Sequence, residues 1–160
     1  MKNIKRAIYS GTFDPITNGH LDIIKRALNV FDEVIIAIAD SSSKKPMFSI
    51  EQRVKLVKKA TKNMDGVKVK SFTNLLVDFA KENNVSSIVR GLRAVSDFEY
   101  ELQMGYANSS LDKTIDTVYF MPTLENAFVS SSIVRELIKF DGKYDHLIPI
   151  KIKKEIIKCI

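Results

Sequence analysis

The chain has little cysteine and no long hydrophobic run. Cys159 is the only cysteine in 160 residues, so an intrachain disulfide is impossible and nothing favours an oxidising compartment. The longest purely apolar run is Val34–Ala39, which is too short to cross a bilayer. The basic residues near the start are followed by a turn-forming Ser10-Gly11 pair before any signal-like apolar core develops. We therefore expect a cytoplasmic protein with no membrane partner.

The charge balance favours anionic partners. The chain carries 25 Lys and Arg against 19 Asp and Glu, a formal net charge of +6 at pH 7. Such an excess attracts nucleotides, phosphorylated metabolites or nucleic acid. The basic residues occur singly or in pairs, with no dense basic block or RNA-stacking aromatic motif, so we expect no nucleic-acid partner. Two histidines and one cysteine are too few for a protein-only zinc site, and no protein metal ligands are predicted.

Short β-branched runs alternate with amphipathic stretches along the chain. Strands are predicted at Ile4–Tyr9, Glu33–Ala39, Val67–Phe72, Ser87–Val89 and Thr117–Met121. Helices are predicted at Gly19–Asn29, Ile50–Thr61, Leu75–Asn83, Asp97–Leu111, Ser131–Phe140 and Pro149–Ile160. This alternation predicts a Rossmann-like α/β fold, in which a five-stranded parallel sheet is covered by helices on both faces. The length suits a single domain, residues 1–160.

The ligand site of such a fold is predicted by its topology. Ligands bind beyond the carboxyl ends of the strands, where the strand order reverses. The segments to inspect are therefore those that follow the predicted strands: Ser10–His20, Asp40–Ser49, Thr73–Leu76, Arg90–Asp97 and Pro122–Ser132.

The first of these segments leads through a glycine turn into a helix. Gly11 lets the backbone approach a ligand closely, and Thr12 offers a hydroxyl and an N–H group to a phosphate oxygen. Gly19 and His20 fall at the helix start, where unpaired N–H groups and the helix dipole favour an anion. The pattern matches neither the G-x-G-x-x-G nor the P-loop motif. A lone histidine is more often a cap or a core residue, but this context makes His20 a candidate donor to negative charge.

The tetrapeptide Thr17-Asn18-Gly19-His20 resembles the T/H-x-G-H signature of the nucleotidylyltransferase superfamily. The longer run from Gly11 to His20 is similar to the bacterial phosphopantetheine adenylyltransferases in particular, and the similarity extends over almost the whole chain. Thr17 in place of a first histidine argues against the relatives that use H-x-G-H. Ser10 departs from the pattern, because many relatives carry proline there. The resemblance implies an enzyme of coenzyme A biosynthesis that transfers AMP from ATP to 4′-phosphopantetheine.

Two later segments agree with this resemblance. In Arg90-Gly91-Leu92-Arg93 two arginines flank a glycine at a strand end, and guanidinium groups bind oxyanions bidentately. The second signature of the superfamily, I-S-S-x-x-x-R, is similar to the run from Val129 to Arg135, and three serines there precede a helix. Asn126 departs from the family, where an aromatic residue is usual.

The resemblance implies two overlapping sets of binding residues. The acceptor phosphopantetheine would contact Thr12, Lys44, Leu76 and Arg90, whereas Lys45 is interpreted as a solvated surface residue. The nucleotide would contact residues from all the signature segments: Thr12, Phe13, His20, Gly91, Leu92, Arg93, Glu101, Asn126, Ala127, Phe128, Val129, Ser130, Ser131 and Ser132.

The implied reaction is a direct in-line attack of the acceptor phosphate on the α-phosphorus of ATP. The attacking oxygen is already ionised at neutral pH, so catalysis depends on positioning and charge stabilisation rather than on a base. The candidate catalytic residues are Thr12, His20, Lys44 and Arg93. Mg²⁺ is expected with ATP, held mainly by its phosphates. The resemblance also implies a homohexamer, a dimer of trimers. Coenzyme A is expected as a feedback inhibitor, because the product shares the site.

Other functions fit parts of the sequence. Another superfamily member would adenylylate nicotinate mononucleotide or cytidylylate a glycerol phosphate, although Thr17 and the Arg90–Glu101 segment argue against both. A basic nucleic-acid-binding module would bind RNA or DNA with steep salt dependence and without nucleotide turnover. A catalytically idle ATP sensor is disfavoured because His20, Lys44 and both arginines are present.

Overall fold

The structure is a computed structural model that describes residues 4–40, 45–93 and 95–160. Its strands are β1 (Arg6–Gly11), β2 (Glu33–Ala39), β3 (Val67–Phe72), β4 (Ser87–Gly91) and β5 (Asp116–Phe120). Its helices are α1 (Asn18–Leu28), α2 (Ile50–Thr61), α3 (Leu76–Glu82), α4 (Val95–Leu111), α5 (Ser131–Lys139) and α6 (Lys153–Cys159), with 3-10 turns at Leu124–Asn126, Asp145–Leu147 and Ile150–Ile152. The predicted strands and helices are confirmed, with ends shifted by a few residues. No helix of the described residues is long and apolar enough to span a bilayer.

The five strands form one parallel sheet in the order β3-β2-β1-β4-β5, which confirms the predicted fold class. The chain builds outward from β1 to β3 and then crosses back to build from β4 to β5. The order therefore reverses between β1 and β4, where Ile8 pairs with Ile88 and Tyr9 with Val89. The loops that leave two strands at such a reversal run to opposite sides and open a crevice at the carboxyl edge.

Side-chain alternation along the central strands supplies both halves of the core. On β1, Ala7 and Tyr9 face one side of the sheet and Ile8 faces the other. The larger apolar cluster includes buried residues of α1, α2, α5 and α6, and the smaller cluster lies under α3. Nearly continuous apolar strands are typical of a parallel sheet whose two faces are both covered by helices.

Candidate active site

A cleft of about 560 Å³, here called the main cleft, opens at the carboxyl edge of the sheet above β1 and β4. A smaller space of about 260 Å³, the side cavity, adjoins it along residues that line both: Ser10, Gly11, Thr12, Arg90 and Glu101. Most of the predicted site residues line the main cleft: Thr12, Phe13, His20, Arg90, Gly91, Arg93, Glu101, Asn126, Val129, Ser130, Ser131 and Ser132. Segments far apart in the sequence are therefore brought to one place.

The remaining predicted residues lie elsewhere. Leu76 lines the side cavity. Phe128 is 58% exposed and lines a different surface depression, beside α1. Of the described site residues, Leu92, Ala127 and Phe128 line neither the main cleft nor the side cavity. Lys44 lies outside the described residues, whereas Lys45, interpreted from the sequence as surface, is exposed and also lines the main cleft.

His20 is held in one orientation at the start of α1. Its Nδ1 accepts the backbone N–H of Thr17 at 3.0 Å, and the Thr17 hydroxyl lies 3.0 Å from the same nitrogen. The ring of Phe13 packs against the imidazole, with centroids 4.9 Å apart. Because Nδ1 is an acceptor, the neutral imidazole carries its proton on Nε2. His20 therefore caps the helix and lines the cleft with the same ring.

The electrostatic surroundings keep His20 neutral. Burial, followed by the positive charges of Arg93 and Arg90, lowers the pKa of His20 from 6.5 to about 3. At neutral pH the side chain is consequently a neutral hydrogen-bond donor. Its Nε2–H group can donate a hydrogen bond to a negatively charged ligand while the ring itself is uncharged.

Gly19 allows α1 to approach the loop before α5. A Cβ at this position would lie 3.2 Å from the carbonyl oxygen of Val129 and 3.5 Å from that of Asn126. The same two segments are joined again by the hydroxyl of Ser131, which donates to the carbonyl oxygen of Pro15 at 2.8 Å. The start of α1 and the serines at the start of α5 therefore form adjoining walls of the main cleft. Each helix start has backbone N–H groups available to an anion.

Arg90 is held in place by a bidentate ion pair with Glu101. Nε and Nη2 of Arg90 each lie 2.6 Å from a carboxylate oxygen of Glu101, which is only 8% exposed. Nη1 donates to the carbonyl oxygen of Ser10 at 2.8 Å and to its hydroxyl at 3.1 Å. Burial opposes the charge on Arg90, but the hydrogen bonds and negative charge of Glu101 outweigh it and hold the pKa of Arg90 above its usual value. Arg90 is therefore a permanent, oriented cation.

Arg53 supports the loops around the site and was not selected by the sequence analysis. It is 1% exposed and donates to the carbonyl oxygens of Thr12 at 2.9 Å, Ala39 at 2.8 Å and Phe48 at 3.1 Å. One guanidinium group thus joins the loop after β1, the end of β2 and the loop before α2. A signal was present, because Arg53 belongs to the apolar stripe of α2.

Asp14 joins the same loops from the other side. Its carboxylate accepts the N–H groups of Met47 and Phe48, both at 2.9 Å, and is 3% exposed. Its carbonyl oxygen accepts from Nη1 of Arg135 at 2.7 Å. Asp14 and Arg53 therefore both tie the loop after β1 to the loop before α2, beside the main cleft.

Cationic side chains line the main cleft in excess: Lys45, Arg90, Arg93 and Arg135 face the carboxylates of Asp14 and Glu101. Both carboxylates are already paired within the protein. The described residues contain no group of three His, Cys, Asp or Glu side chains placed to hold a metal ion. The arrangement can bind polyphosphate and stabilise developing negative charge.

Comparisons with known proteins give one consistent result. A family model described as cytidylyltransferase-like matches residues 8–137. The phosphopantetheine adenylyltransferase of Nautilia profundicola is 63% identical over 151 residues, covering 94% of this chain and 98% of the relative. Proteins of the same name from Helicobacter hepaticus and Campylobacter concisus are 61% and 57% identical, covering 89% and 95% of this chain and 87% and 97% of the relatives.

Proposed function

Because the chain belongs to the cytidylyltransferase-like family and, within it, to the phosphopantetheine adenylyltransferases, we propose that it transfers AMP from ATP to 4′-phosphopantetheine. It is a nucleotidyltransferase of coenzyme A biosynthesis, and the products are dephospho-coenzyme A and pyrophosphate. The observation that carries the proposal is that one cationic cleft is lined by His20, by Arg90 and by Ser130–Ser132 at the start of α5. The nucleotide occupies the main cleft, and the pantetheine arm extends into the side cavity toward Leu76.

The reaction needs no protein nucleophile. An ionised oxygen of the acceptor phosphate forms a bond to the α-phosphorus of ATP, the bond from that phosphorus to the bridging oxygen breaks, and pyrophosphate leaves. The protein supplies position and charge. The Nε2–H group of His20 donates a hydrogen bond to a negatively charged oxygen on the α-phosphorus. Thr12 and Arg93 bind neighbouring phosphate oxygens. Arg90 and Lys44 hold the acceptor phosphate, and the role of Lys44 rests on the family resemblance.

Mg²⁺ binds together with ATP in this proposal. The described residues have no carboxylate cluster of their own, which suits an ion whose ligands are mainly triphosphate oxygens. The ion supplies neutralising charge to those phosphates when it is bound. In this proposal the backbone N–H groups at the start of α5 bind the triphosphate, and the presence of Ser130–Ser132 in the lining of the main cleft supports this assignment.

Regulation and assembly extend the proposal. Coenzyme A contains both the pantetheine arm and an adenine nucleotide, so it should occupy both the main cleft and the side cavity and compete with both substrates. Inhibition kinetics can test this.

A homohexamer is supported by apolar side chains that α4 leaves exposed: Phe98, Tyr100, Met104, Tyr106 and Leu111. Light scattering should then give six times the 18.1 kDa mass of the chain. A cytoplasmic location can be checked by cell fractionation.

The decisive experiment follows product formation by mass spectrometry. Purified protein is incubated with ATP, Mg²⁺ and 4′-phosphopantetheine, and dephospho-coenzyme A is measured. His20→Ala should lower turnover by about 10²–10³-fold, the usual effect of losing one such donor. His146→Ala, which changes the other, exposed histidine, is the matched control and should retain full turnover. Product only with nicotinate mononucleotide, or only with CTP and glycerol phosphate, would assign a different reaction of the superfamily.

A further inference from the structure

Ser10 stands at the carboxyl end of β1 and borders both spaces of the site. It is 5% exposed and lines the main cleft and the side cavity. Alternation along β1 places its side chain on the same face as Ile8, the face of the smaller apolar cluster, against which Leu76 packs. The proposed pantetheine arm lies on this face. Ser10 therefore faces the acceptor rather than the adenine end of the nucleotide.

The hydroxyl of Ser10 has an unused hydrogen-bonding capacity. Its oxygen accepts from Nη1 of Arg90 at 3.1 Å. A hydroxyl also donates one proton, and within residues 4–40, 45–93 and 95–160 that proton has no acceptor. Buried donors normally have partners, because leaving one unsatisfied is unfavourable. An anionic oxygen held beside Arg90 would supply the missing acceptor.

We propose that Ser10 strengthens binding of the phosphorylated acceptor, by donating a hydrogen bond from its hydroxyl to the phosphate of 4′-phosphopantetheine while accepting one from Arg90. This inference rests on the proposed function. The guanidinium group fixes the hydroxyl oxygen and leaves its proton directed away from the cation, toward the ligand. A hydrogen bond from a hydroxyl to an ionised oxygen is among the stronger kinds. Proline, the residue that many relatives carry here, has no such donor, so this chain gains a phosphate contact.

Ser10→Ala isolates this contact. Alanine removes the hydroxyl and keeps the carbonyl oxygen, so Arg90 remains held by that carbonyl and by both oxygens of Glu101. We expect the KM for 4′-phosphopantetheine to rise about 10- to 30-fold, as for a lost hydrogen bond to a charged group, and the KM for ATP to change less than about twofold. Ser10→Thr retains the hydroxyl and should recover most of the loss. Ser110→Ala, which removes an exposed hydroxyl near the end of α4, should leave both constants unchanged.

Pantetheine, which lacks the phosphate, separates a phosphate contact from a general effect on the site. Its inhibition constant should be the same for wild type and Ser10→Ala. The proposal would be overturned if Ser10→Ala raised the inhibition constant of pantetheine as much as the KM for 4′-phosphopantetheine, or the KM for ATP as much as that for the acceptor. An unchanged KM for the acceptor would overturn it as well. Wild-type protein that makes no product would refute the proposed function instead. In that case calorimetric binding of 4′-phosphopantetheine to both proteins still decides whether the Ser10 hydroxyl binds it.

Discussion

Replacing Glu101 with glutamine tests the ion pair that orients Arg90. Both carboxylate oxygens lie 2.6 Å from Arg90 nitrogens in a buried position. Glutamine has nearly the same shape but offers one acceptor oxygen, so at the other contact two donors face each other. Arg90 retains its charge and its bonds to Ser10. The variant therefore leaves a largely buried cation with part of its compensation removed.

The expected loss in the free energy of unfolding is about 2–3 kcal/mol. Removing one partner of a buried pair costs about 3–5 kcal/mol. The Arg90 side chain is 26% exposed, so water offsets part of that loss. For a chain of this length, the loss corresponds to a fall in Tm of about 5–10 °C. The KM for 4′-phosphopantetheine should rise about tenfold, because Arg90, the proposed phosphate-binding group, would lose its preorganised geometry.

Urea unfolding followed by circular dichroism measures the free energy, and initial rates measure KM. Glu99→Gln is the matched control, because Glu99 lies on the same helix and is exposed. The control should differ from wild type by less than about 0.5 kcal/mol. Wild-type stability and a wild-type KM in Glu101→Gln would refute the reasoning, since the pair would then neither stabilise the fold nor position Arg90.

Other parts of the site make measurable predictions. The lowered pKa of His20, about 3 against 6.5, means that the unfolded chain takes up a proton that the folded protein does not. The stabilising contribution of neutral His20 is therefore fully present above pH 6.5 and is lost as the pH falls toward 3, by about 1.4 kcal/mol per pH unit. In urea unfolding between pH 6 and 4, His20→Ala should flatten this dependence of the free energy of unfolding on pH. Arg53→Met should lower the free energy of unfolding by about 3–5 kcal/mol, because Arg53 is buried. Lys58→Met, at an exposed site of the same helix, should have no such effect, and equal stability of the two variants would contradict the role of Arg53 in joining the loops. Gly19→Ala should reduce kcat about tenfold by pushing the Val129 backbone away, and unchanged kinetics would show that the close approach is dispensable.

The secondary structure could be predicted because each strand is a short β-branched run. The predicted and observed bounds agree for Glu33–Ala39, Val67–Phe72 and Ile50–Thr61. The strand order was not accessible in the same way, because pairing joins segments far apart in the chain. The rule for parallel sheets predicted a site beyond the carboxyl ends of the strands, at a reversal of the strand order. The structure shows that this reversal lies between β1 and β4.

The candidate site was predicted unevenly, according to how each residue makes its contacts. The strand–glycine–helix pattern and the family signatures selected His20, Arg90 and the serines, which line the main cleft. Arg53 was missed because its partners are mostly backbone carbonyl oxygens, which no side-chain pattern displays. Glu101 was selected as a nucleotide contact, but its pairing with Arg90 depends on how α4 packs against the rest of the protein. Those parts of the site depend on tertiary packing.

The lysines of β3 have a consequence for how the protein meets other copies of itself. β3 is an edge of the sheet, and an edge presents unpaired backbone groups to which a strand of another chain could add. Lys68 and Lys70 alternate along this strand, with Lys68 paired to Glu33 and Lys70 bonded to Asn83. A second strand would have to desolvate these charges in order to dock. The β3 edge is thereby protected against the addition of a strand from another chain.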